Sequence, residues 1–239
     1  MPWTWTPARR DDPELMDAPG LPDAEVADAY RVLRTVNRQL GNLRTLDHEL
    51  RTFVHDDTPG PGPLTLLDVG SGSGDVSLFL ADRVRQIGRA CLSVSLDRDP
   101  TAARLAAGLG AIAVRGDALR LPLRDGAVDF VTAVKFAHHF TGPALTQLVA
   151  ELARVARRRV VVLDIRRHWL AYWGFIAWSR VFTRNRLVRY DGPLSVLRGF
   201  TPAELTAVAK DIPAFGWTVR SYPGFQLALV GRRYSPTAT

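Results

Sequence analysis

Apolar side chains recur at helical spacing from Asp23 to Val54. Val26, Tyr30, Leu33, Val36 and Leu40 form one stripe, and Leu43, Leu46 and Leu50 continue it past Gly41. The pattern predicts a helical segment with Asp23 as N-cap, just behind a proline. Residues 1–20, rich in Pro, Asp and Trp, are expected to form an irregular or tethered arm. "DDTPGPGP" at 56–63 interrupts the periodicity and marks a boundary. Residues 1–62 therefore read as arm and helical cap, and 63–239 as the main domain.

Beyond the break, short apolar runs alternate with amphipathic segments. Strands are expected at 64–69, 90–96, 111–114, 128–134, 159–165, 217–222 and 225–230, and helices at 75–87, 100–108, 143–156 and 202–210. Continuously apolar strands separated by helices predict a parallel sheet covered on both faces. The last two strands are separated only by Pro223 and Gly224, which predicts an antiparallel hairpin. Thr201 followed by Pro202 reads as a helix cap, and "RYDGPLS" as a turn. One stretch breaks the rhythm: "HWLAYWGFIAWSRVFTRNR", 168–186, is apolar on every helical face and carries Trp169, Trp173 and Trp178. Such a helix is either buried or lies against something greasy.

Composition narrows the setting. The 239 residues, 46% hydrophobic, suffice for one α/β domain with a proper core but hardly for two. No run approaches a membrane span. The opening residues lack the charged start and apolar core of a secretory signal, so a cytoplasmic protein is expected. The lone cysteine, Cys91, excludes an internal disulfide and a cysteine-built zinc site, and reads as buried packing; no metal site is assigned. The formal charge of +7 is almost wholly arginine, since Lys135 and Lys210 are the only lysines. Arg154, Arg157, Arg158, Arg159, Arg166, Arg167, Arg180, Arg184, Arg186 and Arg189 crowd one region. A patch of that kind suits nucleic acid, anionic lipid or an acidic substrate, and does not choose among them.

"LLDVGSGSGDVSLFLA", 66–81, carries the chemistry. A strand ends at Asp68 and Val69. Gly70, Gly72 and Gly74 follow with Ser71 between them, and a helix begins. Bare backbone lets amides approach a ligand and permits left-handed dihedrals. The spacing fails the dinucleotide fingerprint in both registers, because Asp75 and Ser77 stand where a third glycine would be. Asp68 and Asp75 would also repel a pyrophosphate. An acid beside such a loop suits a ligand with an amino group and no phosphate.

This spacing resembles the first motif of the class I S-adenosylmethionine-dependent methyltransferases, and the resemblance runs from Leu64 to about Arg232. "SVSLDRDP" ends the second strand in Asp97 and Arg98, where the family's acid takes both ribose hydroxyls. "VRGDALRLPL" sets Asp117 and Ala118 where the family receives the adenine amino group. "DGAVDFVTAVKFAHHF" is similar to the family's fourth strand and runs into the active-site edge at Lys135 to Phe140. The resemblance implies S-adenosyl-L-methionine as cofactor. It also implies a Rossmann-like, doubly wound seven-stranded sheet, mostly parallel with an antiparallel C-terminal hairpin, plus N-terminal helices and a helical insertion after strand five. "VNRQLGNLRTL" and "FTRNRLVRYDGPLSVLRGFTPAEL" are similar to segments of bacterial small-molecule enzymes loosely like the ubiquinone and menaquinone methyltransferases.

A sulfonium donor needs an aligned acceptor and, for a hydroxyl, removal of a proton. His138 and His139, past strand four, are the candidate bases; the alternative is that "HHF" is a structural loop, and His48 is a more distant candidate. The place where nitrogen methyltransferases of the family show N/D-P-P-Y/F reads "AVKFAHH", and Cys91 lies mid-strand, away from any role in pyrimidine methylation. Oxygen, or less readily carbon, of a small hydrophobic aromatic or quinone-like molecule is the expected acceptor. The insertion at 166–200 is expected to form its lid. Trp169, Tyr172, Trp173, Phe175, Trp178 and Phe182 would line it, and Arg184, Arg186 and Arg189 would hold a carboxylate or phenolate. An RNA methyltransferase using the arginine patch, a donor-binding protein without turnover, and peripheral membrane contact through 168–186 stay open, as does monomer or homodimer.

Overall fold

The computed structural model describes residues 5–57, 62–210 and 212–234. Its elements run α1 (Asp23–Gln39), α2 (Asn42–Asp56), β1 (Leu64–Val69), α3 (Asp75–Gln86), β2 (Cys91–Asp97), α4 (Pro100–Gly108), β3 (Ile112–Arg115) and β4 (Val128–Val134). They continue through α5 (Gly142–Val155), β5 (Ala156–Ile165), α6 (Trp169–Phe182), α7 (Arg186–Arg198), α8 (Pro202–Ala209), β6 (Phe215–Tyr222) and β7 (Gln226–Arg233). Short 3-10 turns stand at Leu15–Asp17 and Ala137–His139. The centre of the expected 56–63 break, residues 58–61, lies outside the described residues.

The strands form one seven-stranded sheet in the order β3-β2-β1-β4-β5-β7-β6. β1 to β5 are parallel, and β7 runs antiparallel to both β5 and β6. Side chains alternate between faces but are apolar on both, as a covered parallel sheet requires. Leu64 and Leu66 join Leu46, Leu50 and Phe53 of α2 and Val76 and Leu80 of α3. Leu67 and Val69 face the other way, toward Leu145, Leu148 and Leu152 of α5 and Leu205 of α8. The chain leaves β1 toward β2 on one side and returns to β4 on the other. Ligands settle in the crevice at such a reversal, outside the carboxyl ends of the strands.

The segment 23–54 forms the expected N-terminal helix pair, with Gly41 at φ +87° turning the chain between the two. Other sequence expectations need correction. Pro22, not Asp23, occupies the N-cap; Asp23 is the first helical residue, and its carboxylate accepts from Thr101 and Arg104 of α4. "RYDGPLS" is not a turn but the middle of α7, with Pro193 inside the helix. The reason is tertiary: a Cβ on Gly192 would sit 1.9 Å from the Phe175 ring, so glycine lets α6 press onto α7. Asp191 meanwhile accepts the Leu15 and Met16 amides, fastening the arm. Cys91 is only half-buried. Nor is α6 a core helix. Ser179 alone among its residues is buried, while Leu170, Trp173, Val181 and Phe182 are exposed.

Candidate functional site

A cleft of about 1680 Å³ opens at the strand ends. Gly70, Gly72 and Gly74 all adopt left-handed φ, at +67°, +51° and +76°. The Gly70 and Ser71 amides donate to the Leu96 carbonyl, and the Gly72 amide donates to Asp97 Oδ2 at 2.8 Å. The loop is thus sewn to the end of β2. Its bare positions make room for rings as well as for a ligand. A Cβ on Gly70 would lie 2.2 Å from the Phe136 ring, and one on Gly72 2.9 Å from Tyr30. Phe136 falls within the expected active-site edge, whereas Tyr30 was not legible as a site residue, because it lies far from the loop in sequence.

Acids floor the cleft. Asp68 is buried at the end of β1, with Oδ1 accepting from Thr132 Oγ1 at 2.9 Å. Its Oδ2 and the neighbouring Ser71 Oγ are buried and have no hydrogen-bond partner within the protein. Burial pushes the Asp68 carboxyl up to about 8 despite the Thr132 bond, and Asp75 and Asp97 push the same way. Burial raises Asp75 and Asp97 as well. A buried carboxyl whose ionisation is further disfavoured by two neighbouring acids calls for a cation beside it. The ammonium and sulfonium of S-adenosylmethionine would answer that need, with the two orphaned oxygens as acceptors for the ammonium. Asp97 keeps acceptor capacity on both oxygens, beyond the Gly72 and Asp99 amides, for a vicinal diol. Exposed Asp117 accepts the Leu119 amide, and buried Ala118 follows it on the cleft wall. Arg98 lines the cleft too, 3.8 Å from Asp17. Lys135 takes φ +52° at the tip of β4, and burial pulls its ammonium down to about 8 against the attraction of Asp164.

The histidines line the same cleft and draw in residues the sequence did not single out. His138 is buried. Its Nδ1 stands 2.8 Å from Asp164 Oδ1, its backbone amide donates to Asp164 Oδ2, and its Nε2 lies 3.4 Å from Glu14 Oε1. Burial alone would lower its pKa, but Asp164 and Glu14 raise it to about 9. Burial opposes ionisation of Asp164 too, yet His138 and Lys135 hold it below the usual carboxylate range. With carboxylates at both ring nitrogens, His138 has no free nitrogen to offer an acceptor. His139, stacked on it at 4.6 Å, remains partly exposed in the cleft. Its Nδ1 is 3.2 Å from Asp17 and its Nε2 3.8 Å from Glu14. Asp164 had a signal in the sequence, an acid within the apolar run "VVVLDI". Glu14 and Asp17 had none, because only the folded arm brings them here.

The lid is narrower than expected. Phe175 and Trp178 line the cleft, with Leu170, Ala171 and Gly174; Trp169, Tyr172, Trp173 and Phe182 do not. The Trp178 indole donates to Gln39 of α1, joining lid and cap. Arg184, Arg186 and Arg189 also stay outside the cleft lining. Arg186 pairs with Glu25, and Arg189 donates to the Ser179 and Thr183 carbonyls. Much of the wider arginine patch is likewise engaged. Arg154 holds Glu151 and Asp125, Arg157 holds Asp129, Arg159 holds Asp57, and Arg167 holds Glu204. His48 lines the cleft at its far side, edge-on to Tyr222.

A family model described as a methyltransferase domain matches residues 67–163. The demethylmenaquinone methyltransferase of Deinococcus radiodurans is 33% identical over 149 residues, covering 59% of this chain and 57% of that protein. A protein of Oryza sativa subsp. japonica named "Probable tocopherol O-methyltransferase, chloroplastic" is 29% identical over 137 residues, 54% of this chain and 36% of its own. The chain thus spans less than two thirds of the length of either relative. Among solved structures, the plantazolicin methyltransferase BpumL, crystallised with a triazolic desmethylPZN analog and SAH, has a TM-score of 0.64 at 14% identity. That likeness covers 89% of this chain and 91% of that one, and shows a shared fold. The chain thus carries a methyltransferase domain over residues 67–163, on a sheet shared with that methyltransferase structure and above a floor that suits the cationic cofactor S-adenosylmethionine.

Proposed function

We propose that the protein methylates an oxygen of a small hydrophobic aromatic or quinone-like molecule. One observation carries the reading: a single cleft joins an acidic, buried floor to apolar walls from α1, α6 and the β4 edge. Its volume exceeds the 300–1,000 Å³ typical of one small-molecule pocket, which leaves room for donor and acceptor together. Leu33, Val36 and Leu40 on one side and Phe136, Phe140, Phe175 and Trp178 on the other give the acceptor an apolar berth. Bound S-adenosylmethionine supplies an electrophilic methyl group. The protein's own task is to align the acceptor and take its proton, worth about 10²–10⁴-fold for a positioned base. We assign that role to His139, beside Glu14 and Asp17 on the cleft wall, and a supporting one to His138. Methyl transfer from labelled donor to a panel of phenols, hydroxyquinones and amines, read by mass spectrometry, tests the reading. Products from phenols or hydroxyquinones support it, and exclusive amine methylation sinks it.

The exposed face of α6 supports a second element, contact with an anionic bilayer that holds such acceptors. Trp173 and Phe182 are each 60% exposed and Val181 74%, with exposed Arg180 and Arg184 beside them. Leu170 is both exposed and part of the cleft lining, so a greasy acceptor would pass directly from one to the other. Among the described residues no helix is long and apolar enough to cross a membrane. Co-sedimentation with vesicles containing anionic lipid should be lost in Trp173→Ala/Phe182→Ala; an unaffected variant would remove this element.

A further inference from the structure

We infer that Glu14, His138 and His139 form a site for one divalent transition-metal cation of the zinc class, on the acceptor side of the cleft. One ligand atom from each of these residues lies within 4.8 Å of the others, and all three residues line the cleft. The arrangement around the rings points the same way twice. His138 gives Nδ1 to Asp164 and turns Nε2 toward Glu14 Oε1 at 3.4 Å. His139 gives Nδ1 to Asp17 and turns Nε2 toward Glu14 Oε2 at 3.8 Å. Metal-binding histidines almost always spend the second ring nitrogen on a carboxylate, carbonyl or water, which fixes the tautomer and raises the basicity of the other. Here both rings do so, each on an aspartate of its own.

With Nδ1 given to an aspartate, each ring has Nε2 left to ligate, and the two Nε2 atoms face the two oxygens of Glu14. The rings stack at 4.6 Å, so that one metal ion would serve both of them and Glu14 together. Three protein ligands of the His₂Glu kind leave a further coordination position, as catalytic zinc sites do. That position opens to the cleft. Resting on the oxygen-acceptor reading, a hydroxyl bound there would lose its proton more readily because the cation stabilises the oxyanion. His139 then acts as a ligand, and the proton departs to water or buffer.

The test uses the full chain, stripped with chelator and titrated with Co²⁺ and then Zn²⁺. One equivalent of Co²⁺ should develop visible ligand-field absorption, Zn²⁺ should displace it, and Zn²⁺ should raise the thermal midpoint. Glu14→Gln and His139→Ala should abolish the spectrum while S-adenosylmethionine binding, measured by calorimetry, persists and certifies folding. Asp17→Asn, which touches no metal itself, should weaken Co²⁺ binding roughly 10–100-fold. A wild-type protein that binds donor yet shows neither spectrum nor thermal shift at millimolar metal overturns the proposal, as does a spectrum that survives both ligand variants. Methylation of oxygen acceptors without metal would also overturn the catalytic part. A cobalt spectrum in a protein that methylates only amines would keep the site and discard the oxygen-acceptor reading.

Discussion

At Asp68 a buried carboxyl waits for a partner. Its pKa of about 8 in the donor-free protein lies far above the ordinary 3.8. Below pH 8 the ammonium of the donor can be met by a carboxylate only if Asp68 gives up its proton. Donor binding should therefore release a proton at pH 7, and affinity should rise with pH until about 8. Calorimetry in buffers of different ionisation enthalpy checks this, and identical heats would contradict it. Folding stability carries the opposite sign. The native state holds the proton between the ordinary value and about 8, so this residue's contribution is full below about 4 and fades as pH climbs to 8. Asp68→Asn should flatten that slope and lose the donor. Asp97→Ala should weaken donor binding by about 1–3 kcal/mol, the cost of leaving hydrogen-bonding groups unmet; an unchanged Kd would remove Asp97 from the site. Asp68 and Asp97 were legible as cleft residues because each ends an apolar run, and Asp117, after Arg115 and Gly116, only through the family resemblance. Glu14 and Asp17 were not, since an acid in an irregular arm looks the same whether it meets solvent or a histidine.

The elements were most legible where periodicity and punctuation agree. The β1 and β4 boundaries coincide with the expected strands, and α4 with its expected helix. α8 shows why: Thr201 caps it, Glu204 returns to the Thr201 amide, and Pro202 stands at the first turn. Thr201→Ala should cost roughly 1 kcal/mol in urea denaturation, and no change would mean the cap is redundant. α7 shows the contrary case. Gly192 and Pro193 speak for a turn, yet the Phe175 ring against Gly192 and the arm amides on Asp191 carry the helix through. Local propensity yields there to contacts that no window of sequence displays. α6 was read correctly as a helix greasy all round, but periodicity alone could not say which flank would meet protein.

For the molecule as a whole, the arginine excess became less informative once folded. Arg154, Arg157, Arg159, Arg167 and Arg186 are committed to carboxylates of the same chain. We therefore expect no dedicated nucleic-acid face from the net charge of +7. Fluorescence anisotropy with structured RNA should show only weak binding that vanishes at physiological salt, without the steep affinity of a dedicated module. Tight binding at that salt would revive the nucleic-acid reading.

The cleft's floor is acidic and buried, whereas its rim beside α6 is apolar and open. If donor and acceptor share the cleft as proposed, the nucleoside enters first and leaves last. Steady-state kinetics should then show compulsory order, with the demethylated nucleoside competing against its precursor alone.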